Sequence, residues 1–481
     1  MDRQRHVNVV VVGGGAAGLA AAVAAQERGL TCQLLEAQTR LGGRVRTRTL
    51  KTGGTFDEGA QTINGDMGGV LDLVRSAGLH LAPVAQKGIG LCLLGDRAVR
   101  AETLPSLDDV FERLEDRSGR LGLVLDGLRA LRRAKLDGAT PWDGALSVSR
   151  ALRVLPYPEV LPRGSLADAL RALQLKPDEH TLATTVFAEI LGRPAAEIDA
   201  GAVLDLWLNY ASERDDLEFQ IKGGMIGIIE ALTARLSHTP RLGAPVAAIR
   251  TSPERVEVVT DDETWSTDHV IVAVPPPVAA KIAFDGEGCE RLGTLFGAFA
   301  SGDLIKSVLV FEKAFWRWRG LSGSAVFSDP QGLATVDGSG DGGGPFKLVA
   351  FHGGPVARQW AALPATGRQT LLLRHLARAF GEEAMNPIEL ADAVWVDDPW
   401  SGGGYNAILR AGAPRDAAAR LASWGGRVMF AGAEIDDHFQ GYVEGAIHSG
   451  RRAVDRIVHA MGTGGPHCPA VSEGGTLAEV A

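Results

Sequence analysis

Three glycines near the amino terminus have the spacing of a phosphate-binding turn. Gly13, Gly15 and Gly18 form the pattern G-x-G-x-x-G directly after the apolar run VNVVVV at residues 7–12. Glycines at this spacing allow a tight turn and bring backbone N–H groups close to a pyrophosphate at the start of a helix. Glu36 ends the next apolar run, where a carboxylate accepts hydrogen bonds from a ribose diol. The stretch therefore predicts a dinucleotide site.

A second glycine turn follows this acid and ends in an arginine. Residues 36–44 read EAQTRLGGR, so Arg44 returns toward the expected phosphates soon after Glu36. The planar guanidinium of Arg44 carries a fork of donors that suits a phosphate. A nicotinamide enzyme has no need of this second cation, so the pattern favours a different dinucleotide.

One lysine and two tyrosines are the other side chains whose chemistry stands out. In LIKSVLVF, strand alternation places Lys306 on the same face as Val308 and Val310. Such a lysine is either a strand-end group that reaches solvent, which is the commoner case, or a desolvated functional amine. Tyr405 follows three glycines in SGGGY, and Tyr442 lies in GYVEGAIHSG, although the chain has only four tyrosines. Aromatic ring faces of this kind suit a cationic or electron-rich nitrogen.

The elements that must position these residues alternate between strands and helices, as in an α/β fold. Residues 7–12 predict a buried strand, residues 19–28 an Ala-rich helix closed by Gly29, and residues 31–35 a second strand. Residues 107–135 have apolar side chains at helical spacing. Further helices and strands are expected at 221–236, 244–250, 428–432 and 441–460.

Composition narrows the class of protein. A net charge of −9 and a pI near 5.7 argue against nucleic acid or an anionic membrane as the main partner. The four cysteines form neither a CxxC pair nor a disulfide framework, which favours a reducing, cytoplasmic compartment, and no metal site is expected. We recognise no signal peptide and no run of about 18 apolar residues, so we expect a soluble enzyme. A homodimer is one assembly that the sequence allows.

Several stretches resemble the flavin-containing amine oxidase family, in its monoamine oxidase-like branch. They are EAQTRLGGR, KSVLVFEKAFW, SGGGY and FAGAEIDDHFQGYVEGAIHSGRRA, and the resemblance covers nearly the whole chain. It implies FAD as the cofactor. The cofactor-binding residues that it implies, together with those of the glycine turn, are Gly13, Gly15, Ala17, Gly18, Glu36, Ala37, Gly43, Arg44, Val246, Gly432, Glu434 and Val443.

The resemblance also assigns roles to the lysine and the tyrosines. Lys306 matches a lysine that holds a water beside flavin N5 and supports reoxidation by O2. Tyr405 and Tyr442 match the two walls of an aromatic cage. Covalent relatives carry a cysteine in the matching SGG-x-Y segment where this chain has Gly404, so we expect non-covalent FAD. The implied reaction is hydride transfer from an amine to flavin N5, which gives an imine that hydrolyses to an aldehyde or ketone, with H2O2 formed from O2.

We therefore predict an α/β fold with a Rossmann-type FAD-binding domain built from discontinuous segments and an α+β substrate domain with a helical insertion. More than one domain is expected because 481 residues exceed the size of a single core. The predicted FAD-binding domain comprises 1–78, 221–293 and 397–461, the substrate-binding domain 79–220 and 294–396, and a disordered tail 462–481. Leu208, Asn209, Tyr210 and residues near Leu191 are candidates for the substrate pocket.

Other functions remain open at this point. An L-amino-acid oxidase shares nearly all of these motifs, but residues 57–64, DEGAQTIN, lack the arginine that the resembling oxidases use for the substrate carboxylate. The helical insertion could supply one instead. An FAD-dependent desaturase would not explain the paired tyrosines together with Lys306, and a flavin-binding protein without turnover is the least favoured reading. The expected partners are a small amine and O2, and the sequence does not identify which amine.

Overall fold

The computed structural model describes residues 5–84, 87–101, 164–172, 175–212, 218–339 and 345–462. The strands are β1 (Arg5–Val12), β2 (Cys32–Leu35), β3 (Thr47–Thr49), β4 (Thr55–Asp57), β5 (Leu81–Pro83), β6 (Ile89–Leu94), β7 (Arg97–Ala101), β8 (Phe219–Ile221), β9 (Val246–Thr251), β10 (Val256–Thr260), β11 (Thr264–Val272), β12 (Ala283–Asp285), β13 (Phe299–Ser301), β14 (Leu304–Phe311), β15 (Leu321–Ser328), β16 (Gln331–Asp337), β17 (Phe346–Gly353), β18 (Glu389–Val394), β19 (Ala407–Leu409) and β20 (Val428–Phe430).

The α-helices are α1 (Ala16–Glu27), α2 (Gly68–Ser76), α3 (Leu166–Ala172), α4 (Pro177–Leu191), α5 (Ala200–Leu208), α6 (Ile226–Thr233), α7 (Pro276–Ala279), α8 (Leu292–Gly297), α9 (Phe315–Trp318), α10 (Pro355–Ala361), α11 (Ala365–Phe380), α12 (Ala417–Ala422) and α13 (Val443–Gly462). Short 3₁₀ turns lie at Ala195–Glu197, Cys289–Arg291, Glu382–Met385 and Ala433–Ile435. In the described part of the chain, no helix has both the length and the apolar composition needed to cross a bilayer.

The first of two large sheets carries the glycine turn at its centre. Its order is β12-β9-β10-β11-β1-β2, and β20 pairs with the end of β11. The strands β20, β11, β1 and β2 run parallel, which agrees with the continuous apolar runs that strands covered on both faces require. Because parallel strands end at one edge, the turn after β1, the acid after β2 and the loop after β20 meet there.

The second large sheet is mostly antiparallel and carries Lys306. Its order is β18-β14-β17-β16-β15-β6-β7. Lys306 lies on β14, between β17 and β18, where it pairs with Phe351 and Ala393. Two of its strands, β6 and β7, come from the segment that the sequence analysis treated as a helical insertion. Their short apolar run, GLCLL at 90–94, is typical of a buried strand.

Two helices whose first turns reach the cavity pack closely against each other. A Cβ at Gly450 of α13 would overlap the carbonyl oxygen of Ala17 in α1, so only glycine permits this approach. Glu444, also in α13, accepts hydrogen bonds from the backbone N–H groups of Gly69 and Val70, 2.8 Å each, and so caps the start of α2. The carboxyl-terminal helix thus ties together elements from the start of the chain.

The elements expected near the cofactor lie close to their predicted positions. The observed α1 starts at Ala16 rather than at residue 19, and α13 spans residues 443–462. Gly462, predicted to open the tail, is the last residue of that helix. The rest of the predicted tail and the helical pattern at 107–135 lie outside the described residues.

Candidate active site

The glycine turn leaves the start of α1 open to a ligand. Gly15 is the residue before α1 and offers no side-chain cap, and the first turn carries no acid. The first backbone N–H groups of a helix have no partner within the helix, so these groups are available to an anion. A Cβ at Gly15 would meet nothing within 4 Å, which means that this backbone faces open space. This surface fits the pyrophosphate of a dinucleotide.

Gly13 and Gly18 serve the turn in another way. Gly13 has φ of 106°, a conformation that glycine adopts without a Cβ clash. A Cβ at Gly18 would overlap the carbonyl oxygen of Gly13, so Gly18 permits the close packing of α1 on the strand. Gly18 does not line the cavity, in contrast to the other residues expected to contact the cofactor.

Glu36 is a buried acid at the end of β2. Its Oε2 accepts a hydrogen bond from the N–H of Gly14 at 2.6 Å, and its Oε1 accepts one from the N–H of Gln38 at 2.8 Å. Burial raises the pKa of Glu36, while these backbone donors act in the opposite direction. The carboxylate is therefore held rigidly at the cavity edge, where a ribose diol would fit.

Arg44 and Glu434 form a buried ion pair across the cavity wall. Nη1 and Nη2 of Arg44 donate to the two carboxylate oxygens of Glu434 at 2.5 and 3.0 Å. Nη1 also donates to the carbonyl oxygen of Tyr405 at 2.9 Å. The sequence analysis predicted that Arg44 contacts a phosphate; in the structure its fork donates to a carboxylate, and Arg44 also lines the cavity. The pair fixes the glycine loop before Tyr405 to the turn after β20.

Lys306 is a buried lysine. It is 1% exposed, and its Nζ donates to the carbonyl oxygen of Gly59 at 2.9 Å. Nζ also lies 5.3 Å from the ring centroid of Phe351 and 5.7 Å from that of Phe56. Burial lowers the pKa of Lys306 to about 7, against the opposing effect of the acids Asp57 and Glu58. Lys306 is therefore a desolvated amine and not a strand-end lysine that reaches solvent.

The two tyrosines of the expected cage line the same cavity as Lys306. The Tyr405 ring lies 6.1 Å from the Phe351 ring, and the Tyr442 ring lies 4.9 Å from the Tyr210 ring. The hydroxyl of Tyr210 is 2.6 Å from Nδ2 of Asn64, which fixes the ring behind Tyr442. Each of the two tyrosines thus packs beside a second aromatic ring.

Glu189 is a cavity residue that the sequence analysis missed. It lies near the end of α4, and its Oε1 accepts a hydrogen bond from the hydroxyl of Tyr405 at 2.7 Å. Burial raises the pKa of Glu189 to about 7, while the Tyr405 hydrogen bond acts in the opposite direction. The sequence offered one indication that Glu189 lies in the pocket, because it is two residues from Leu191, which was expected there.

Gly59 was missed as well, although it supplies the acceptor for Lys306. A Cβ at Gly59 would overlap the carbonyl oxygen of Arg44. The indole Nε1 of Trp395 donates to the neighbouring carbonyl of Glu58 at 2.8 Å, and Trp395 also lines the cavity. The sequence places these groups in unrelated segments, so no local pattern indicated the contact.

One cavity of about 1440 Å³ connects the glycine turn to the lysine and the tyrosines. That volume exceeds the roughly 300–1,000 Å³ of a pocket for one small ligand and suits a dinucleotide together with a substrate. The predicted site residues that line it are Gly13, Gly15, Ala17, Glu36, Ala37, Gly43, Arg44, Val246, Lys306, Tyr405, Gly432, Glu434, Tyr442 and Val443. Asn209, Tyr210 and Leu191 line it too, and the side chain of Leu208 lies outside the described part of the chain.

Three potential metal ligands lie together near α13. Oxygens of Asp436 and Asp437 and a ring nitrogen of His448 are all within 4.8 Å of one another. His448 is hydrogen-bonded to Asp436 at 2.7 Å, and Arg452 pairs with Asp437 at 2.5 Å. These contacts with protein partners explain why the three side chains lie close together.

Comparison with known proteins agrees with this geometry. The family model for flavin containing amine oxidoreductase matches residues 16–458. A flavin-containing amine oxidase from Oncorhynchus mykiss is 25% identical over 478 residues, 96% of this chain and 88% of the relative. An L-amino acid dehydrogenase from Synechocystis is 26% identical over 458 residues, 93% of this chain and 94% of the relative.

A solved structure has the same fold. It is a putrescine oxidase, wild type with putrescine bound, which matches with a TM-score of 0.80 at 24% identity over 94% of this chain and 99% of that one. The predicted α/β fold is therefore confirmed. Because this family model spans most of its length, the chain belongs to the flavin containing amine oxidoreductase family.

Proposed function

We propose that this chain oxidises an amine to an imine with non-covalently bound FAD, and that the imine hydrolyses to an aldehyde or ketone. O2 is the proposed electron acceptor, with H2O2 as its product. The observation that carries the proposal is the shared cavity, in which Lys306, Tyr405 and Tyr442 lie with the glycine turn and Glu36. A dinucleotide site and an aromatic amine slot thus form one space.

The proposed cofactor contacts follow from the charges and donors at the cavity. The open N–H groups at the start of α1 would hold the pyrophosphate, and Glu36 the ribose of the adenosine half. The start of α13, at Val443, would lie against the flavin, where a helix N-terminus stabilises negative charge. When bound, the flavin accepts a hydride from the carbon next to the amine nitrogen and returns the electrons to O2.

The residues around the proposed slot orient the amine and exclude water. Tyr405 and Tyr442 offer ring faces that attract a cationic or electron-rich nitrogen. Apolar residues make up much of the surrounding wall, so few waters compete for the nitrogen. Lys306 is proposed to hold a water near the flavin, with its Nζ fixed by the carbonyl of Gly59.

The lack of a thiol at Gly404 supports non-covalent binding. A Cβ at that position would lie 3.1 Å from Cδ2 of Leu304 and 3.5 Å from Cβ of Trp395, so the backbone is packed tightly there. Acid precipitation of the purified yellow protein is expected to leave the flavin in the supernatant. A yellow pellet would contradict non-covalent binding.

The reaction itself is tested by the colour of the flavin. Anaerobic addition of primary, secondary and polyamines is expected to bleach the absorbance near 450 nm for at least one amine, roughly in proportion to the flavin present. Admission of air should restore the colour and release H2O2. If none of these amines bleaches the flavin, the proposed function is wrong, whatever L-amino acids do in the same assay.

We also propose a cytoplasmic location. The described cysteines Cys32 and Cys289 are buried and form no disulfide, which suits a reducing compartment. Fractionation of the native host, followed by detection of the protein, tests this.

A further inference from the structure

Glu189 is a carboxylate in the cavity that the proposed reaction does not use. It lies in the last turn of α4 and accepts a hydrogen bond from the hydroxyl of Tyr405 at 2.7 Å. The hydroxyl is the far end of the Tyr405 ring, whose face is the proposed wall for the reacting nitrogen. Glu189 and the two tyrosines line the same cavity, so a chain bound against Tyr405 would also lie near this carboxylate.

The charge of Glu189 has no protein counter-ion among the described residues. Arg193, one turn further along, pairs with Glu197 and lies 3.8 Å from Asp303 instead. The last turn of α4 carries no basic residue, so the negative end of the helix dipole adds to the charge of the acid. Because a half-buried carboxylate without a cation is unfavourable, a cationic ligand that also covers it would gain from this place.

The wall around Glu189 suits an alkyl chain. Val186 and Ile190 of α4 line the cavity, as do Val326 of β15 and Ala334 of β16. Val186, Val326 and Ala334 pack as one apolar cluster with Ile190 against it. Methylene groups fit such a surface. The charged end of the chain would then reach Glu189, which is the only acid among the described α4 residues that line the cavity.

We propose that Glu189 is the counter-ion for a second cationic group of the substrate, so that the chain prefers diamines or polyamines over monoamines. This inference rests on the proposed amine oxidation and names its substrate class. An amino acid would instead bring a carboxylate toward Glu189, and like charges repel. Glu189 thus favours an amine without a carboxylate.

The test compares 1,4-diaminobutane with pentylamine, in which a methyl group replaces the second ammonium. The measured quantity is kred/Kd for anaerobic reduction of the bound flavin in the holoenzyme. In the native chain we expect the diamine to exceed the monoamine by about tenfold or more. In Glu189→Gln, which keeps an oxygen for the Tyr405 hydrogen bond but removes the charge, this ratio should fall about tenfold or more.

Two further variants separate charge from structure. Glu197→Gln makes the same change at an exposed acid close to α4, and the ratio should stay as in the native chain. Tyr405→Phe removes the hydroxyl but leaves the carboxylate, so the preference for the diamine should persist whatever the absolute rate. A fall of both substrates in parallel in Glu189→Gln would show that Glu189 acts only through Tyr405 and would overturn the proposal.

The native protein alone can also overturn it. Equal kred/Kd for the two amines means that Glu189 is not a counter-ion, even if Glu189→Gln does not fold. In that case amines still bleach the flavin, and the proposed function stands. Absence of bleaching by every amine would instead remove the proposed function, and the assignment of Glu189 with it.

Discussion

Lys306 is the residue whose environment differs most from that of an ordinary lysine. Its burial brings the pKa to about 7, so its positive charge is present below that pH and is lost as the pH rises through it. A cation near the flavin stabilises the negative charge that develops when O2 is reduced. We therefore expect Lys306 to make the rate of reoxidation depend on pH.

The prediction for Lys306→Met is a selective loss of reoxidation. Stopped-flow mixing of the reduced protein with O2 should show a rate constant lower by about tenfold or more, because the charge and the proposed water contact are lost. In the native chain the same rate constant should fall as the pH rises through about 7, and this step should be missing in the variant.

Lys313→Met provides the matched control for that experiment. Lys313 follows the same strand but is exposed, with its Nζ 5.9 Å from the ring of Trp318. The Lys313→Met variant should be reoxidised by O2 at the same rate as the native chain. An unchanged rate in Lys306→Met would contradict a role for this lysine in the reaction with O2.

Arg44 and Glu434 allow a second prediction at the level of residues, because the pair is buried. The side chain of Glu434 is 1% exposed and that of Arg44 is 25% exposed. Glu434→Gln should lower the free energy of unfolding by about 1–3 kcal/mol, since the partly exposed guanidinium of Arg44 loses its counter-charge. Thermal unfolding of the holoenzyme measures it, with flavin content as a second readout.

An exposed ion pair provides the control for the stability change in Glu434→Gln. Glu383 pairs with Arg319 at 2.7 Å, with the side chains 51% and 44% exposed. Glu383→Gln should change the stability by less than about 1 kcal/mol. Equal effects of the two substitutions would mean that the pair of Arg44 and Glu434 contributes no more to stability than an exposed ion pair.

At the level of elements, the packing of α1 on α13 positions both helix starts at the cavity. The contact depends on Gly450, where a Cβ would overlap the carbonyl oxygen of Ala17. Gly450→Ala should therefore push the helices apart and lower the free energy of unfolding by about 1–3 kcal/mol. The flavin should also bind more weakly, which equilibrium dialysis measures.

Gly293→Ala is the control for the helix substitution. Gly293 lies in α8, is exposed, and has nothing within 4 Å of a Cβ built on it. This change should leave the protein as stable as before or more stable by up to about 1 kcal/mol. If both variants behave alike, close packing at Gly450 does not position the helices.

At the scale of the whole molecule, the cavity joins segments from across the chain. Its lining takes Gly15 from the start, Val246 from the middle and Val443 from the carboxyl-terminal helix. A ligand that contacts all of these stabilises the folded state as a whole. The fold and its cofactor are thereby coupled.

This coupling predicts a dependence of the melting temperature on FAD. Protein stripped of flavin should unfold at a lower temperature, and FAD at about 100 times its Kd should add about 2.7 kcal/mol to the free energy of unfolding. Scanning fluorimetry against FAD concentration measures the shift, with riboflavin as a matched ligand that lacks the pyrophosphate. Equal shifts from both ligands would argue against the role of the glycine turn.

The sequence predicted those parts of the site that lie within one continuous segment. The glycine turn and Glu36 follow from a strand, a turn, a helix and a strand in succession, and the structure has these elements at nearly the expected residues. Strand alternation also predicted which face of β14 carries Lys306, because side chains alternate with a fixed period. Such patterns depend on neighbours along the chain.

The rest of the site depends on residues that are far apart in the sequence. Tyr405 and Glu189 are separated by 216 residues, and Arg44 and Glu434 by 390. The segment around Glu189 was expected to be helical, yet nothing in it indicated that its acid would meet a tyrosine of the glycine loop. The two strands β6 and β7 were missed because their apolar run is short and stands beside helical patterns.

The sequence by itself determined the glycine turn, its acid Glu36 and the α/β succession of elements, because local hydrogen bonding and side-chain periodicity are properties of short segments, while the resemblance to a family supplied FAD and the other candidate residues. Only the tertiary structure decided which charged side chains are paired with each other and which are removed from water. It paired Arg44 with Glu434, removed Lys306 from water and left Glu189 beside Tyr405 in the cavity. Pairing and burial depend on which segments approach each other in space, and that approach sets the chemistry of the site.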